Sequence, residues 1–358
     1  MTNRVAIVGA GAVGGYIGAY LARAGHDVTL IDPWPENVEA VRRDGFSLSG
    51  LTPEESINVP VRILHVGDVQ GFVREAPFDI ALIALKSYDT LWATRLILPY
   101  LTPQGVIASA QNCINDERVA SVAGRERTVG VVIAGIAAEL YEPAKIRRAV
   151  PRGVPGVLRV GELDGSLTPR LQNLAAVLGD VDTVQITTDL YAERWTKLSV
   201  NAMRNSLSAA SSLSGNDITR NDVARRFAIR LGSEAVDVGF AQGLKLQAVS
   251  RIDPDTLRRA GRGDAAAYTE VEGILIEETR NGRRSEYQRP SMGQDVLRGR
   301  RTEIDFLNAL VVETGSRLGI ATPANAAIVA AVRGIERGEL SPSAELIATL
   351  EQEILAAT

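Results

Sequence analysis

Two rhythms of apolar and polar positions divide this chain. In the first half, short apolar runs, RVAIVGA (4–10), DVTLID (27–32), FDIALIAL (78–85) and GVIASAQ (105–111), alternate with segments of helical spacing. Strands alternating with helices predict a parallel sheet with right-handed crossovers. Between 128 and 162 the pattern changes. TVGVVIAGIAAELYEP, KIRRAVPRG and GVLRVGE read as strands joined by Pro/Gly turns, as antiparallel additions to that sheet, and DTVQITTD (182–189) as a last strand. Beyond Leu190 the strand signal stops. Helical periodicity covers 190–213 and 217–242, with Gly243 as a C-terminal stop, then 292–318, 323–337 and 342–356. Residues 247–290 are polar and arginine-rich and read as loop or short helix. The fold class is therefore α/β followed by all-α, with a doubly wound domain over 1–188 and a helical domain over 189–358.

Composition narrows the chemistry. At 358 residues the chain exceeds a usual single core, which agrees with two domains. A net charge of −4 gives no reason to expect nucleic acid or an anionic membrane as partner. Cys113 is the only cysteine, so no internal disulfide forms. With only His26 and His65, a zinc cluster or a Ser-His-Asp triad is poorly supplied, and no metal site is expected. An acid–base enzyme built on this chain draws its proton donor from Lys, Glu, Asp or Tyr. VAIVGAGAVGGYIGAYLA is apolar enough to mimic an export signal, but its glycines are spaced for another purpose. The apolar stretches are too short or too glycine-rich to span a bilayer, and a cytoplasmic location is expected.

That other purpose is a phosphate cradle. Gly9-x-Gly11-x-x-Gly14 follows a strand and opens a helix. Gly9 permits the tight turn, Gly11 lets the backbone approach a pyrophosphate, and Gly14 lets the helix pack close to the strand. The helix start at Ala12 and Val13 offers N–H groups and a partial positive charge. Asp32 ends the second strand, eighteen positions past Gly14. There it accepts hydrogen bonds from ribose hydroxyls and repels a 2′-phosphate, which favours NAD over NADP. No arginine follows until Arg42 to rescue NADP binding. The competing reading of Asp32 is a strand-end residue that starts the turn DPWPE, and Trp34 either covers an adenine or is an exposed turn residue. A Rossmann-type unit is the expected architecture of residues 1–188.

ERWTKLSVNAMRNSLSA (193–209) is the second candidate site. At about 100° per residue, Lys197, Asn201, Arg204, Asn205, Ser208 and Ser212 share a sector roughly 100° wide. No acidic residue lies between Glu193 and Asp217. A solvated face usually carries charges of both signs, whereas this one sets two cations among amides and hydroxyls.

With both motifs in hand, the sequence resembles the ketopantoate reductase (2-dehydropantoate 2-reductase) family. LIALKSYDT around Lys86 looks like that family's strand-end lysine segment, and SAQNCIND stands where it usually shows Gln/His-Asn-Gly. PSMGQDVLRGRRTEIDFLNALVVETGSRLGIATPAN is similar to its C-terminal signature. The blocks occur in family order over nearly the whole chain. The resemblance implies reduction of a 2-keto acid to a D-2-hydroxy acid by a nicotinamide hydride. It implies Lys197 as the catalytic lysine, and Asn201, Asn205 and Ser291 as substrate-binding residues. Glu303 matches the carboxylate that contacts the substrate hydroxyl, Asn112 an asparagine between cofactor and substrate, and Lys86 a contact to cofactor ribose or phosphate. The chemistry agrees: hydride addition makes an alkoxide, which needs a cationic donor able to release a proton. Lysine, with an ordinary pKa of about 10.4, suits that role when partly desolvated. Each residue also has a plainer reading. Ser291 with Gln294 forms a capping box after Pro290. Asp295, Gly299 and Glu303 share a helix face, where Glu303 is a solvated acid paired with an arginine. Lys86 is an ordinary strand-end lysine.

Three departures from the family pattern stand out. Asp32 replaces a basic residue, Cys113 replaces the glycine after Asn112, and residues 243–291 form a longer segment whose Arg283, Arg284, Tyr287 and Arg289 suit a lid, an altered pocket or a dimer contact. These leave two competing functions: an NAD-linked D-2-hydroxy acid dehydrogenase acting on a different, bulkier substrate, and a non-catalytic NAD-binding regulator. A small-molecule substrate and a homodimer are the expected partners.

Overall fold

The structure, a computed structural model, describes residues 3–280 and 289–357. It divides into two compact units, Met1–Leu190 and Tyr191–Thr358. The first opens with β1 (Arg4–Val8), α1 (Ala12–Arg23), β2 (Asp27–Asp32), α2 (Pro35–Asp44), β3 (Phe46–Ser49), β4 (Ile57–Val59) and β5 (Arg62–His65). It continues through β6 (Phe78–Ile83), α3 (Thr90–Ile97), β7 (Leu101–Ser109), α4 (Asp116–Ala123) and β8 (Thr128–Ile133). It closes with β9 (Ala138–Glu142), β10 (Lys145–Arg148), β11 (Leu158–Glu162), α5 (Pro169–Gly179) and β12 (Val184–Ile186).

Eight strands form one sheet in the order β12-β11-β8-β7-β6-β1-β2-β5. Every pairing is parallel except β8 with β11. The continuous apolar runs have a physical cause: both faces are covered, so alternate residues of one strand enter different cores. Val5 and Ile7 pack on one side with Leu30, Ile80 and Leu82. Ala6 and Val8 pack on the other with Ile31, Ala81 and Ile83. The chain reverses its strand order between β1 and β6, and such a switch point opens a crevice at the carboxyl ends of the strands.

The expected antiparallel additions are corrected in part. β8 continues the parallel sheet, and β11 alone among the three runs adds to it in antiparallel sense. β9 and β10 leave it altogether for a second sheet, β4-β3-β10-β9, in which β10 runs parallel to β3. A period of two shows that a segment is a strand without naming its partner. Phe46 and Ile146 of this small sheet sit 2.7–2.8 Å from where a Cβ on Gly15 of α1 would stand, so that glycine admits the sheet.

One buried charge cluster ties these layers together. Arg148, at the end of β10, donates to Asp182 at 2.5 Å and to the Tyr16 hydroxyl of α1 at 2.6 Å. Its other nitrogens donate to the carbonyls of Val150 and Pro151. Both charged side chains are 1% exposed. Burial pushes the Tyr16 phenol far above its ordinary value, so it stays neutral.

The second unit is helical: α6 (Leu190–Ser211), α7 (Gly215–Arg220), α8 (Asp222–Ala241), α9 (Pro254–Gly261), α10 (Ala265–Arg280), α11 (Ser291–Leu297), α12 (Asn308–Leu318), α13 (Pro323–Glu336) and α14 (Ala344–Ala357). Three expectations change. The helix over 217–242 breaks at Asn221, whose side chain accepts from the Ala224 N–H and starts α8. Residues 254–280, expected as loop or short helix, are one short helix and a second of sixteen residues. Asp253 caps the first, and the apolar face of the second is only Ala267, Val271 and Leu275, too thin to stand out among its polar neighbours. The helix over 292–318 is interrupted: α11 ends at Leu297, Gly299 turns at φ +60°, and helix resumes at Asn308. Gly243 at φ +76° follows α8, as a C-terminal stop requires.

Asn308 and Asn325, both fully buried, form a hydrogen-bonded chain that reaches the Ala202 carbonyl of α6. Its other end is Glu234, which accepts from the backbone N–H groups of Ala324 and Asn325 at the start of α13. Burial raises the Glu234 carboxyl above its ordinary value. Arg283, Arg284 and Tyr287 lie outside the described residues. Arg289 donates to the Ser212 carbonyl. No helix among the described residues is long and apolar enough to cross a membrane.

Candidate functional site

The glycine-rich turn lies at the end of β1. Gly9 holds φ +108°, and a Cβ there would stand 2.7–2.8 Å from the backbone of Ala84 and Leu85 beyond β6. A Cβ on Gly14 would stand 1.9 Å from the Gly9 carbonyl oxygen. Both glycines are thus demanded by the protein's own packing. Gly11 is different. Its φ of −72° suits any residue, and a Cβ there would meet nothing within 4 Å. Its missing side chain therefore leaves open space at the start of α1. Ala12, Val13 and Gly14 open that helix, whose first turn holds no acidic residue and no side-chain cap. First-turn N–H groups lack intrahelical partners and suit an anion. The residues present fit a dinucleotide pyrophosphate.

Asp32 is 5% exposed and takes on structural work at this turn. Its Oδ2 accepts from the Ala10 N–H at 2.5 Å, and its Oδ1 accepts from the Trp34 N–H at 2.9 Å. Both bonds are those of a strand-end turn residue. Trp34 itself is half-buried ahead of α2.

Two further loops leave the carboxyl ends of β6 and β7. Lys86, partly exposed, precedes a short 3-10 turn (Ser87–Asp89). Asn112 and Cys113 follow β7. The Gln111 amide donates to the Leu85 carbonyl and to Thr90 Oγ1. The Asn115 amide donates to Ser87 Oγ and to the Asn112 carbonyl. These two buried amides fasten the Lys86 loop to the Asn112 loop, and the sequence reading passed over both. Cys113 holds φ +65° and is buried, so it occupies a left-handed position that glycine takes without strain.

In the second unit, α6 carries the polar face. Lys197 is half-buried, and Asn201 and Asn205 are each 7% exposed. The acid missing from the local sequence comes from α10, where Glu278 accepts from Arg204 at 2.6 Å. Arg204 is thereby committed to an ion pair. The Asn201 Nδ2 is buried with no hydrogen-bond partner among the described residues. Leaving such a donor unpaired costs about 1–3 kcal/mol.

α11 packs on this same face. A Cβ on Gly293 would stand 2.3 Å from Ser208 Oγ, one turn past Asn205, so Gly293 is the close-approach glycine of the segment. Gly299 has nothing within 4 Å of its Cβ position. The shared helix face of Asp295, Gly299 and Glu303 does not exist, because α11 ends at Leu297. Nor is Ser291 a cap: it is the first residue of α11, no side-chain cap is made, and Gln294 donates back to the Arg289 carbonyl. Glu303 is 5% exposed, ahead of a 3-10 turn (Ile304–Phe306), and so is not a solvated acid. Among the described residues no cluster of His, Cys, Asp or Glu is placed to hold a metal.

Comparison with known proteins follows the same division. Residues 5–165 match the family described as "Ketopantoate reductase PanE/ApbA", and residues 189–336 match "Ketopantoate reductase PanE/ApbA C terminal". A 2-dehydropantoate 2-reductase of Archaeoglobus fulgidus is 27% identical over 337 residues, covering 94% of this chain and 99% of that protein. One from Caulobacter vibrioides is 28% identical over 91% of this chain and 97% of its own. The crystal structure of a PanE/ApbA family ketopantoate reductase from Ralstonia eutropha is 30% identical, with a TM-score of 0.73 and coverage of 94% and 99%. A D-mandelate dehydrogenase solved with NADH and anilino(oxo)acetate shares the fold, at 19% identity, a TM-score of 0.76 and coverage of 94% and 98%. With both of its units matched in order and in fold, the chain belongs to the ketopantoate reductase family and is an oxidoreductase acting on CH–OH groups.

Proposed function

We propose that the chain interconverts a 2-keto acid and a D-2-hydroxy acid, in the manner of 2-dehydropantoate to (R)-pantoate, with NAD preferred over NADP. The observation that carries the substrate half is the buried amide nitrogen of Asn201, without a partner among the described residues, one helical turn from Lys197. A donor kept at that cost suits an acceptor that arrives with the substrate, such as a carboxylate oxygen. Bound dinucleotide supplies the hydride. The chain's own residues manage the oxygen: Lys197 gives a proton to it as carbonyl becomes alkoxide, and takes one back in the oxidative direction. Asn201, Asn205 and Ser291 bind the carboxylate and other polar atoms, and Glu303 holds the hydroxyl in line. Asn112 and Lys86 serve the cofactor.

Asp32 supports the NAD preference. A 2′-phosphate brings a charge of about −2 toward a carboxylate that is already buried. The same residue keeps a second reading in play, that of an NAD-linked D-2-hydroxy acid dehydrogenase with a bulkier substrate. A D-mandelate dehydrogenase holding NADH has this fold. A purely regulatory NAD-binding protein would have no need of a buried unpaired amide beside a lysine.

Gly11→Ala tests the cofactor half. Because a Cβ there meets nothing within 4 Å, folding stability should change by less than about 0.5 kcal/mol. The dissociation constant for NADH, by fluorescence titration, should rise at least about tenfold, or ~1.4 kcal/mol. Unchanged NADH affinity in the folded variant would contradict a pyrophosphate at this turn.

A further inference from the structure

The turn that would hold the pyrophosphate is fixed by side chains that never reach it. The Ala10 peptide stands between Gly9 and Gly11, and both of its polar atoms are held from the β2–α2 side. Asp32 accepts from the Ala10 N–H, and the Asn37 amide donates to the Ala10 carbonyl at 3.1 Å. Asn37 is fully buried on α2. Its Oδ1 accepts from the Ala144 N–H at 2.9 Å. Ala144 lies in the turn between β9 and β10, 4% exposed and at φ +61°, a conformation that L residues rarely adopt. The Ala144 carbonyl in turn accepts from the Ser47 N–H of β3 at 2.8 Å. One amide side chain thus links the glycine-rich turn to the small sheet. A donor and an acceptor are both required, and one uncharged amide supplies both.

We infer that Asn37 is a positioning residue for the dinucleotide. By holding the Ala10 carbonyl, it fixes the Ala10–Gly11 peptide plane, as Asp32 fixes the Gly9–Ala10 plane through the Ala10 N–H, so that the Gly11 space and the N–H groups of Ala12 and Val13 are set before the ligand arrives. Binding then requires no ordering of the turn, which is where such preorganisation gains affinity. The hydrogen bond to Ala144 makes the β9–β10 turn part of the same support, and dinucleotide binding is communicated to it. This rests on the cofactor reading above.

Two variants separate positioning from mere structure. Asn37→Asp keeps the volume and the acceptor for Ala144 but removes the donor to Ala10, while Asn37→Ala removes both. In each, the dissociation constant for NADH should rise about tenfold, with kcat at saturating cofactor within about threefold of wild type. The second measurement uses the wild-type chain: amide hydrogen exchange across the β9–β10 turn should slow severalfold when NADH is added. NADH affinity within twofold of wild type in the folded variants, or exchange in that turn indifferent to NADH, would overturn the inference while leaving the cofactor reading intact. A wild-type chain that binds neither NADH nor NADPH would remove the cofactor reading and this inference together.

Discussion

Lys197→Ala is expected to lower kcat by about 10²- to 10⁴-fold, the usual worth of a positioned general acid. NADH affinity should stay within about threefold of wild type, because the glycine-rich turn belongs to a different unit of the chain. The size of the loss follows from the composition of the α6 face. Arg204 is occupied by Glu278, and Asn201 and Asn205 offer hydrogen bonds but no ionisable proton. Lys197 is the one residue of that face that can both stabilise an alkoxide and protonate it. Lys197→Arg should not rescue turnover, since a guanidinium keeps its proton at any working pH. Stability should change little, because the side chain is only half-buried. Steady-state kinetics with saturating cofactor, beside an NADH titration, makes the check. Turnover surviving within about threefold would remove Lys197 from the chemistry.

Arg148→Ala should have the largest effect on stability, about 3–5 kcal/mol. The substitution leaves the Asp182 carboxylate, 1% exposed, without the guanidinium 2.5 Å away. It also strips the Tyr16 hydroxyl of its donor and leaves the Val150 and Pro151 carbonyls unsatisfied. Among the described residues, Asp182 retains only the N–H groups of Gly153 and Thr183 and the distant Arg152, whose Nε is 3.9 Å away. The midpoint of thermal unfolding should fall by about 6–20 °C. Replacing both charges, as Arg148→Met with Asp182→Leu, should recover only the part due to the unpaired carboxylate, since the Val150 and Pro151 carbonyls and the Gly153 and Thr183 N–H groups still lose their partners. A loss under about 1 kcal/mol for Arg148→Ala would show that water reaches the cluster.

Some of this was legible in the sequence and some was not, for physical reasons. The glycine-rich turn was, because Gly9 and Gly14 each answer a local geometric demand, whereas a Cβ at Gly11 would meet nothing within 4 Å. The polar face of α6 was, because 3.6-residue spacing places side chains without reference to the rest of the chain. What pairs with that face was not: Glu278 lies 74 residues from Arg204, and no local pattern announces it. The stretch GRRTEID kept enough helical spacing to hide the turn at Gly299, so Glu303 was placed on a helix that has already ended. Arg148 sits in KIRRAVPRG, which reads as a strand with nothing local to set this arginine apart from its basic neighbours. Its burial follows from Asp182, 34 residues on. No local pattern marks Asn37, and only the meeting of Ala10 and Ala144 gives it a task.

The central claim is that a 2-keto acid and a nicotinamide dinucleotide meet on this chain, with NAD preferred. A panel of 2-keto acids, 2-dehydropantoate among them, assayed with NADH and NADPH in parallel, tests it most directly. The account predicts reduction of at least one panel member, with kcat/KM higher for NADH than for NADPH. A strong NADPH preference would overturn the role given to Asp32. Protein that binds NADH yet reduces no 2-keto acid would contradict the account as a whole.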